Sequence, residues 1–158
     1  MKIFLASDHA GPSLKKDLID YLNSDIEFRG AEVIDLGTHD ADQSVNYPDF
    51  AIKLCKELLE ANKLIDTTDI VSNFGILICG SGIGVCMVAN RFNGIRAALC
   101  RSEEDARLSK EHNNANVICL GARMTSCEDA KKIILAWKKA EFQKGRHSKR
   151  LEIFDNLS

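Results

Sequence analysis

The chain alternates short runs of apolar and β-branched residues with longer segments in which apolar residues recur at helical spacing. This alternation predicts βαβ units, because a strand that is covered by helices on both faces is apolar throughout. We therefore expect an α/β fold with a mostly parallel, doubly wound sheet of about five strands. The strands are predicted at Lys2–Ser7, Glu32–Asp35, Phe74–Cys79, Ile95–Cys100 and Asn116–Leu120.

The segments between the strands carry helix signals of their own. Pro48 suits the first turn of a helix, and Ser102 precedes three acidic residues, as a capping residue does at a helix start. The segment Asn62–Asn73 is mostly polar and predicts a surface insertion. Helices are predicted at Ser13–Leu22, Pro48–Ala61, Ser102–His112, Ser126–Ala140 and Lys149–Leu157, with a further one from Gly84 to about Arg91.

Length and charge narrow the class of protein further. A chain of 158 residues fits one domain of typical size, and no linker divides it. Its 21 basic and 23 acidic residues leave a net charge of −2, which favours neither nucleic acid nor an anionic membrane as a partner. No apolar run is long enough to span a membrane, and the first one is too short for a signal peptide. We expect one Rossmann-like domain over residues 1–158, located in the cytoplasm.

Six cysteines are spread over the chain without a C-x-x-C pair or a close cysteine–histidine spacing. Zinc sites and redox pairs usually show such spacings, so neither is predicted, and a domain of this size does not need disulfides to fold. Cysteines in apolar segments are usually buried as small hydrophobic residues. We therefore expect packing roles for five of the six. The sixth, Cys79, has unusual neighbours.

Cys79 ends a predicted strand and is followed by a glycine-rich loop, Gly80-Ser81-Gly82-Ile83-Gly84, that leads into a helix. Backbone N–H groups at a helix start bind anions, but the spacing differs from G-x-G-x-x-G and the lysine of a P-loop is missing. A tight turn that needs small residues explains the same glycines. Cys79 is then either a buried, inert residue, or a thiolate whose pKa is lowered by the helix start and which acts as a base or nucleophile.

Polar residues also follow other predicted strands, at the sheet edge where ligands bind in open parallel sheets. Asp8 and His9 follow the first strand, and Arg123 follows the fifth. His112 closes the helix that leads into the fifth strand, where an imidazolium is also favourable for the helix dipole alone. Taken together with Cys79, these residues, at carboxyl ends of strands or at the helix end that leads into a strand, predict a functional site.

The C-terminal region is basic, although the chain as a whole is not. Arg146 and Arg150 lie four residues apart, so on a helix they would share a face. With Arg123 they are candidates for a phosphate clamp, because guanidinium groups bind phosphate oxygens in paired geometry. A solvated basic surface and a nucleic-acid contact are the alternatives, and the second has no interleaved aromatic residues to favour it.

Polar and glycine-rich motifs follow one another along nearly the whole chain. They are Ser7-Asp8-His9-Ala10-Gly11, Asp35-Leu36-Gly37, Tyr47-Pro48, Gly75–Gly84, Ala89-Asn90-Arg91, Gly94-Ile95-Arg96-Ala97, Glu111-His112-Asn113, Gly121-Ala122-Arg123 and Gly145-Arg146-His147-x-x-Arg150. Their order and spacing resemble the type B ribose-5-phosphate isomerase family, which also contains the galactose-6-phosphate isomerase subunits. The resemblance runs from Lys2 to about Ile153.

The resemblance implies an isomerase that interconverts ribose 5-phosphate and ribulose 5-phosphate through a 1,2-enediolate, in the non-oxidative branch of the pentose phosphate pathway. It implies no metal and no cofactor. Cys79 would move the proton between C1 and C2, and the N–H groups of Gly80, Ser81, Gly82, Ile83 and Gly84 would stabilise the enediolate. The other residues it implies are Ser81 and Asp8 as catalytic residues, His112 as the ring opener, His9, Arg123, Arg146 and Arg150 for the phosphate, and Tyr47 and Asn113 for the sugar.

Some members of the family have a glutamate in place of the cysteine base, just after the last glycine of the loop. Here that position is Val85, which cannot accept a proton, so the chain resembles the cysteine variant. The resemblance also implies a homodimer or a tetramer of dimers with shared active sites, in which residues 141–158 contact the partner subunit. Isomerisation of galactose or allose 6-phosphate and a non-catalytic sugar-phosphate sensor are the alternatives that the sequence leaves open.

Overall fold

The computed structural model describes residues 1–63 and 73–157, and most of the expected surface insertion lies outside them. The described residues form one five-stranded sheet with its helices. The strands are β1 (Lys2–Ser7), β2 (Glu32–Asp35), β3 (Phe74–Cys79), β4 (Ala97–Leu99) and β5 (Val117–Gly121). The helices are α1 (Pro12–Ser24), α2 (Tyr47–Lys63), α3 (Ile83–Ala89), α4 (Glu103–Asn113), α5 (Cys127–Lys139) and α6 (Arg146–Asp155), with a 3-10 turn at Ile26–Phe28 that the apolar pattern does not predict.

All neighbouring strands are parallel, and their order across the sheet is β2-β1-β3-β5-β4. The chain therefore moves from β1 outward to β2 and then crosses to the other side of β1 to form β3. This reversal is the topological switch point of a doubly wound sheet, where diverging connections leave a crevice for a ligand. Ser7 at the end of β1 pairs with Ile78, and Cys79 at the end of β3 pairs with Gly121, so three strand ends meet there.

Helices cover both faces of the sheet, as the apolar strands predicted. One face carries α1, α4 and α5, whose apolar residues pack with the core around Ile76 and Ile118. The other face carries α2 and α3, which pack with the core around Leu77 and Cys119. Because both of their faces are covered, β3 and β5 are buried along their whole length. The expected Rossmann-like α/β architecture is confirmed.

Helix and strand boundaries agree with the predictions to within two residues, with the start of α6 as the exception. Ser102 accepts the N–H of Asp105 and caps α4, as its place before three acidic residues predicted. Helix α6 begins at Arg146 instead of Lys149, so Arg146 and Arg150 both lie on it, one turn apart. None of the described helices is long and apolar enough to cross a membrane.

Strand β4 is shorter than the predicted strand Ile95–Cys100. The N–H of Ile95 donates to the carbonyl of Phe92 in a turn, and the N–H of Arg96 donates to the side chain of Asn116 at 2.8 Å. Backbone groups that are bonded in this way are not available to a neighbouring strand. In addition, β4 lies at the edge of the sheet, where β5 is its partner.

A buried ion pair fixes the segment that leads from β2 toward the switch point. Lys15 on α1 donates to both carboxylate oxygens of Asp35 at the end of β2, and 2% of the lysine side chain is exposed. Asp35 also accepts the N–H of Gly37 at 3.0 Å. A Cβ atom at Gly37 would overlap with the backbone nitrogen of Ser7. The pair therefore holds this turn directly against the end of β1.

Candidate active site

A cleft opens at the switch point, at the ends of β1, β3 and β5. Its volume of about 410 Å³ is within the range of small-molecule sites. At its base the N–H of Asp8 donates to the carbonyl of Ile78 at 3.2 Å and joins two strand ends. All of the residues that line it except Met124 are among the site residues predicted from the sequence. They are Asp8, Tyr47, Cys79, Gly80, Ser81, Gly84, Arg123 and Met124.

The thiol of Cys79 contacts the glycine loop as expected. Its Sγ accepts the N–H of Gly82 at 3.1 Å, and the residue is buried. Gly82 has φ +77°, and a Cβ atom there would lie 2.9 Å from the backbone of Leu120, so this turn requires glycine. The N–H of Ile83 donates to Ser81 Oγ at 3.4 Å. Two of the five N–H groups predicted to face a ligand are therefore used within the loop.

Asp8 and His9 lie directly after β1. Asp8 is buried at the wall of the cleft, and its Oδ1 accepts the N–H of Ala10 at 2.9 Å. His9 Nδ1 accepts the N–H of Val45 at 3.2 Å. In a neutral imidazole the proton then lies on Nε2, which is left to donate to a ligand. The same bond ties the segment between β2 and α2 to the site.

Arg123 reaches the cleft because the turn after β5 is bonded to the end of β3. The N–H of Ala122 donates to the carbonyl of Cys79 at 2.8 Å, and the N–H of Arg123 donates to the carbonyl of Gly80 at 3.1 Å. The guanidinium lies over Gly80, where a Cβ atom would be 3.3 Å from Nη1. An exposed positive charge therefore lines the same cleft as the thiol.

Tyr47 and Met124 form the exposed rim of the cleft. The Tyr47 ring lies against Gly84, where a Cβ atom would be 2.7 Å from Cζ, so the glycine leaves room for the ring. Tyr47 is 39% exposed and Met124 is 65% exposed. Large side chains of this kind around a cleft are typical of a surface that a ligand or a partner covers.

The remaining predicted site residues form a second cluster, where the end of α4 meets the start of α6. His112 on α4 stacks on His147 of α6, with ring centroids 4.4 Å apart and planes inclined by 3°. Arg146 donates its Nε–H to His147 Nε2 at 3.4 Å. Burial first, and then the positive charges of His112, Arg146 and Arg150, lower the pKa of His147 from its usual 6.5. Asn113, Arg146 and Arg150 are exposed.

The C-terminal segment is held on its own chain. The N–H of Gln143 donates to the carbonyl of Glu111 at 2.9 Å, just before α6. At the other end of the helix, Arg96 Nη1 forms an ion pair with Asp155 at 3.2 Å. Contacts within the same subunit therefore hold helix α6, which carries the exposed Arg146 and Arg150. The predicted contact of residues 141–158 with a partner subunit stays a prediction.

Within one chain the two clusters lie at opposite edges of the sheet. Helix α4 ends shortly before β5 begins at Val117, which pairs with Gly75 at the amino edge. Cys79 pairs with Gly121 at the other end of the same strands, roughly 13 Å further along at ~3.3 Å per residue. His112 lies at the helix end that leads into β5, as the sequence predicts, and this end is at the amino edge because a crossover helix returns the chain there.

The predicted phosphate clamp is divided in the same way. Arg123 lines the cleft and His9 follows β1 beside it, whereas Arg146 and Arg150 lie on α6 at the other edge. Among the described residues, one chain therefore brings together the thiol, the loop and one arginine, but not the whole predicted set. Of the predicted phosphate-binding arginines, one therefore lies at the cleft and two lie on α6.

Three of the other cysteines are packing residues as expected. Cys55, Cys100 and Cys119 are buried, and burial raises their pKa values, to about 12 for the first two. Cys127 and Cys86 are half-buried, and the hydrogen bond from Cys119 is the main cause that lowers the pKa of Cys86 to about 7. All six thiols are free. The sequence holds no signal for the Cys86–Cys119 contact, since the fold alone brings α3 against β5.

The fold and the cleft together define a class of protein. It is a Rossmann-like α/β protein whose switch-point cleft combines a thiol, a carboxylate, backbone N–H groups and an arginine, a set suited to acid–base chemistry on a small anion. Among the described residues, no group of three or more His, Cys, Asp and Glu side chains is placed to hold a metal ion.

Comparison with known proteins makes the assignment specific. The chain belongs to the ribose/galactose isomerase family, which matches residues 3–154. It is 40% identical over 151 residues to ribose-5-phosphate isomerase B of Escherichia coli, a match that covers 96% of this chain and 92% of that protein. The structure of Clostridium thermocellum ribose-5-phosphate isomerase B is similar with a TM-score of 0.86 and 42% identity, over 99% of this chain and 97% of that one.

A second solved structure carries a ligand. Ribose-5-phosphate isomerase B of Mycoplasma genitalium with bound ribulose-5-phosphate is similar with a TM-score of 0.85 and 39% identity, over 98% of this chain and 94% of that one. The family resemblance that the sequence motifs indicated is confirmed.

Proposed function

We propose that the protein interconverts ribose 5-phosphate and ribulose 5-phosphate. The observation that carries the proposal is the Cys79 sulfur, which accepts the Gly82 N–H in a cleft that Asp8, Ser81 and Arg123 also line. Enolisation next to a carbonyl requires a base within reach of the carbon and donors for the oxygen that becomes negative. The relatives named ribose-5-phosphate isomerase B, one of them with bound ribulose-5-phosphate, support this choice of substrate.

The divided clusters lead to the second part of the proposal, a homodimer in which each site combines the cleft of one subunit with the α4–α6 end of the other. Arg123 and His9 then share the phosphate with Arg146 and Arg150 of the partner subunit. Guanidinium groups bind phosphate in paired geometry, and this remote binding energy positions the reacting carbons. Met87, 69% exposed on α3 one turn beyond the loop, offers apolar surface for the interface.

Ring opening comes first in the proposed reaction, because a furanose has no free carbonyl group at C1. We assign this step to the partner subunit's His112, which donates a proton to the ring oxygen while Asp8 takes the proton of the C1 hydroxyl. Asp8 lines the cleft beside the thiol, so the aldehyde forms where the base acts. Tyr47 at the rim and Asn113 of the partner subunit contact the sugar hydroxyls.

Proton transfer then follows inside the cleft. The Cys79 thiolate takes the C2 proton of the open aldose, and the C–H electron pair forms the C1=C2 bond as O1 becomes an enediolate oxygen. The loop donors we assign to this oxygen are the N–H groups of Gly80, Ser81 and Gly84, since those of Gly82 and Ile83 already bond within the loop. Cys79 returns the proton to C1, and Ser81 assists transfer of the O2 proton to O1, which gives the ketose.

The scheme needs no metal and no cofactor, because the thiol supplies the base and the loop amides supply the oxyanion donors. The proposal also assigns the protein to the non-oxidative branch of the pentose phosphate pathway and to the cytoplasm. The assembly is a homodimer or a tetramer of dimers, and the exposed arginines of α6 reach the partner's cleft from residues 141–158.

Turnover of ribose 5-phosphate by the purified protein, with and without a chelator, tests the proposal. We expect equal rates in both conditions, and a loss of about 10²–10⁴-fold in kcat for Cys79→Ala, the usual contribution of a general base. Sugar-phosphate binding should survive this substitution. Cys127→Ala is the matched control, since that thiol lies at the start of α5 outside the cleft. Absence of turnover by the wild-type protein refutes the proposed isomerase activity. Full activity of Cys79→Ala shows that a residue other than Cys79 is the base.

Galactose 6-phosphate is the second candidate substrate, because the family covers isomerases of both ribose and galactose. A six-carbon sugar needs the same base and donors, and differs in the space between the reacting carbons and the phosphate. The ratio of kcat/KM values for ribose 5-phosphate against galactose and allose 6-phosphate decides between them. If kcat/KM is about tenfold or more higher for a six-carbon sugar phosphate, that sugar phosphate is the substrate instead of ribose 5-phosphate. The assignment of Cys79 as the base is unchanged by this result.

A further inference from the structure

His147 touches two of the proposed site residues at once, although the reaction described above gives it no role. The residue is 5% exposed, and its ring stacks face to face on His112 with centroids 4.4 Å apart. On its edge, Nε2 accepts the Nε–H of Arg146 at 3.4 Å. One buried imidazole therefore contacts the proposed ring opener with its face and a proposed phosphate ligand with its edge.

We propose that His147 is a positioning residue of the isomerase, which orients His112 through the ring stack and Arg146 through the Nε2 bond. The inference rests on the proposed function, and it assigns one task to each contact. The stack serves ring opening, because His112 must point its proton at the ring oxygen. The Nε2 bond serves phosphate binding, because an exposed arginine loses less freedom on binding when it is already oriented.

Both tasks require an uncharged His147. Nε2 accepts a hydrogen bond, so the ring proton of the neutral form lies on Nδ1. The charged groups that face the ring are His112 from α4 and Arg146 and Arg150 from its own helix, and with burial they lower its pKa. As the pH falls through this lowered pKa, Nε2 gains a proton, ceases to accept the bond and repels Arg146. Phosphate binding should then weaken at acid pH.

Two substitutions separate the two contacts. His147→Phe keeps a flat ring for the stack and removes the acceptor, so KM for ribose 5-phosphate should rise about 5–10-fold with kcat within about twofold. His147→Gln keeps an acceptor near Arg146 and removes the ring, so kcat from ribose 5-phosphate should fall about 3–10-fold with KM within about twofold. His39→Phe is the matched control, since 80% of the His39 side chain is exposed, and it should behave as wild type.

Two readouts distinguish positioning from a packing role alone. Ribulose 5-phosphate is always open, since its O5 carries the phosphate, so exchange of its C1 proton in D2O needs Cys79 but no ring opening. His147→Gln should keep this exchange within about twofold of wild type at saturating substrate while its turnover from ribose 5-phosphate falls. In the pH profile, the wild-type KM should rise toward acid pH, whereas the KM of His147→Phe should be high throughout and no longer follow this titration.

NMR provides a readout that does not depend on the isomerase activity. His147→Gln should remove the ring-current shift of the His112 ring protons, and His147→Phe should speed the solvent exchange of the Arg146 Nε–H. Unchanged His112 and Arg146 signals in the two variants overturn the positioning role even if the wild type is active. The positioning role is also overturned if both variants show a lower kcat, a higher KM, slower C1 proton exchange and a lower Tm together. If the His112 and Arg146 signals shift in the variants but the wild-type protein has no turnover, the proposed function is refuted and the two contacts of His147 are confirmed.

Discussion

The cleft around Cys79 and the α4–α6 cluster around His112 are held in different ways. In the cleft, backbone bonds do most of the positioning: Gly82 donates its N–H to the sulfur, and Arg123 is anchored by its N–H to the Gly80 carbonyl. In the α4–α6 cluster, side chains position one another through a ring stack and a single guanidinium bond. Of the cleft residues, Asp8 and Cys79 are buried, whereas the rim of the cleft and the arginines of α6 are exposed.

This difference fits the two tasks that the proposal assigns. A base and its oxyanion donors act only when they are held close to one geometry, and backbone groups at strand ends provide that rigidity. Phosphate ligands act through charge and tolerate a looser support, so exposed arginines on a short terminal helix serve the purpose. Because the two clusters lie at opposite edges of the sheet, one subunit does not form a complete site. Each subunit carries two halves, and each half completes a site with the partner subunit.

The largest effect is expected when the two halves are disabled in different subunits. Cys79→Ala breaks the cleft and His112→Asn breaks the other half, so each homodimer should lose about 10²–10⁴-fold in turnover of ribose 5-phosphate. A heterodimer of the two carries both defects in one site and none in the other. An equal mixture, refolded or coexpressed, should therefore regain about a quarter of the wild-type rate.

The control for this experiment pairs two defects in the same half. Cys79→Ala mixed with Asp8→Asn should regain nothing, since every site then keeps a broken cleft. A mixture of Cys79→Ala and His112→Asn that stays as inactive as its components contradicts a site shared between subunits.

The second prediction compares the ion pair that supports each half. Asp35→Asn leaves the ammonium group of Lys15 buried without its partner, which should lower the free energy of unfolding by about 3–5 kcal/mol. Asp155→Asn is the same substitution in the ion pair between Arg96 and the end of α6. It should lower the free energy of unfolding by about 1 kcal/mol or less, since 39% of the Asp155 side chain is exposed. Urea unfolding of the two variants measures both values.

A second variant tests the cause of the larger effect. Lys15→Met combined with Asp35→Leu replaces the pair by apolar side chains and should recover most of the stability lost in Asp35→Asn. Equal losses in Asp35→Asn and Asp155→Asn are incompatible with a rigidly supported cleft and a loosely supported α6.

The sequence predicts the cleft far better than the second cluster. Phe74–Cys79 is a strand because its apolar run is covered on both faces, and the polar residues after such strands must meet at one edge of a parallel sheet. His112 follows no such rule, because a helix end is placed by the direction of the whole crossover. The stack of His112 on His147 and the contact of Cys86 with Cys119 join residues that only the tertiary fold brings together.

The last prediction concerns the reactivity of the helix that continues the loop. Cys86 on α3 has a pKa of about 7, because the hydrogen bond from Cys119 outweighs burial, so about half of it is thiolate at pH 7. Its alkylation by iodoacetamide, followed by mass spectrometry, should speed up about tenfold between pH 6 and pH 8 and then level off. Cys127, whose pKa is raised by burial, is the internal control and should keep gaining rate above pH 9. A Cys86 rate that rises only above pH 9 shows that Cys119 does not donate to it, and α3 is then less closely held to β5 than the rest of the cleft.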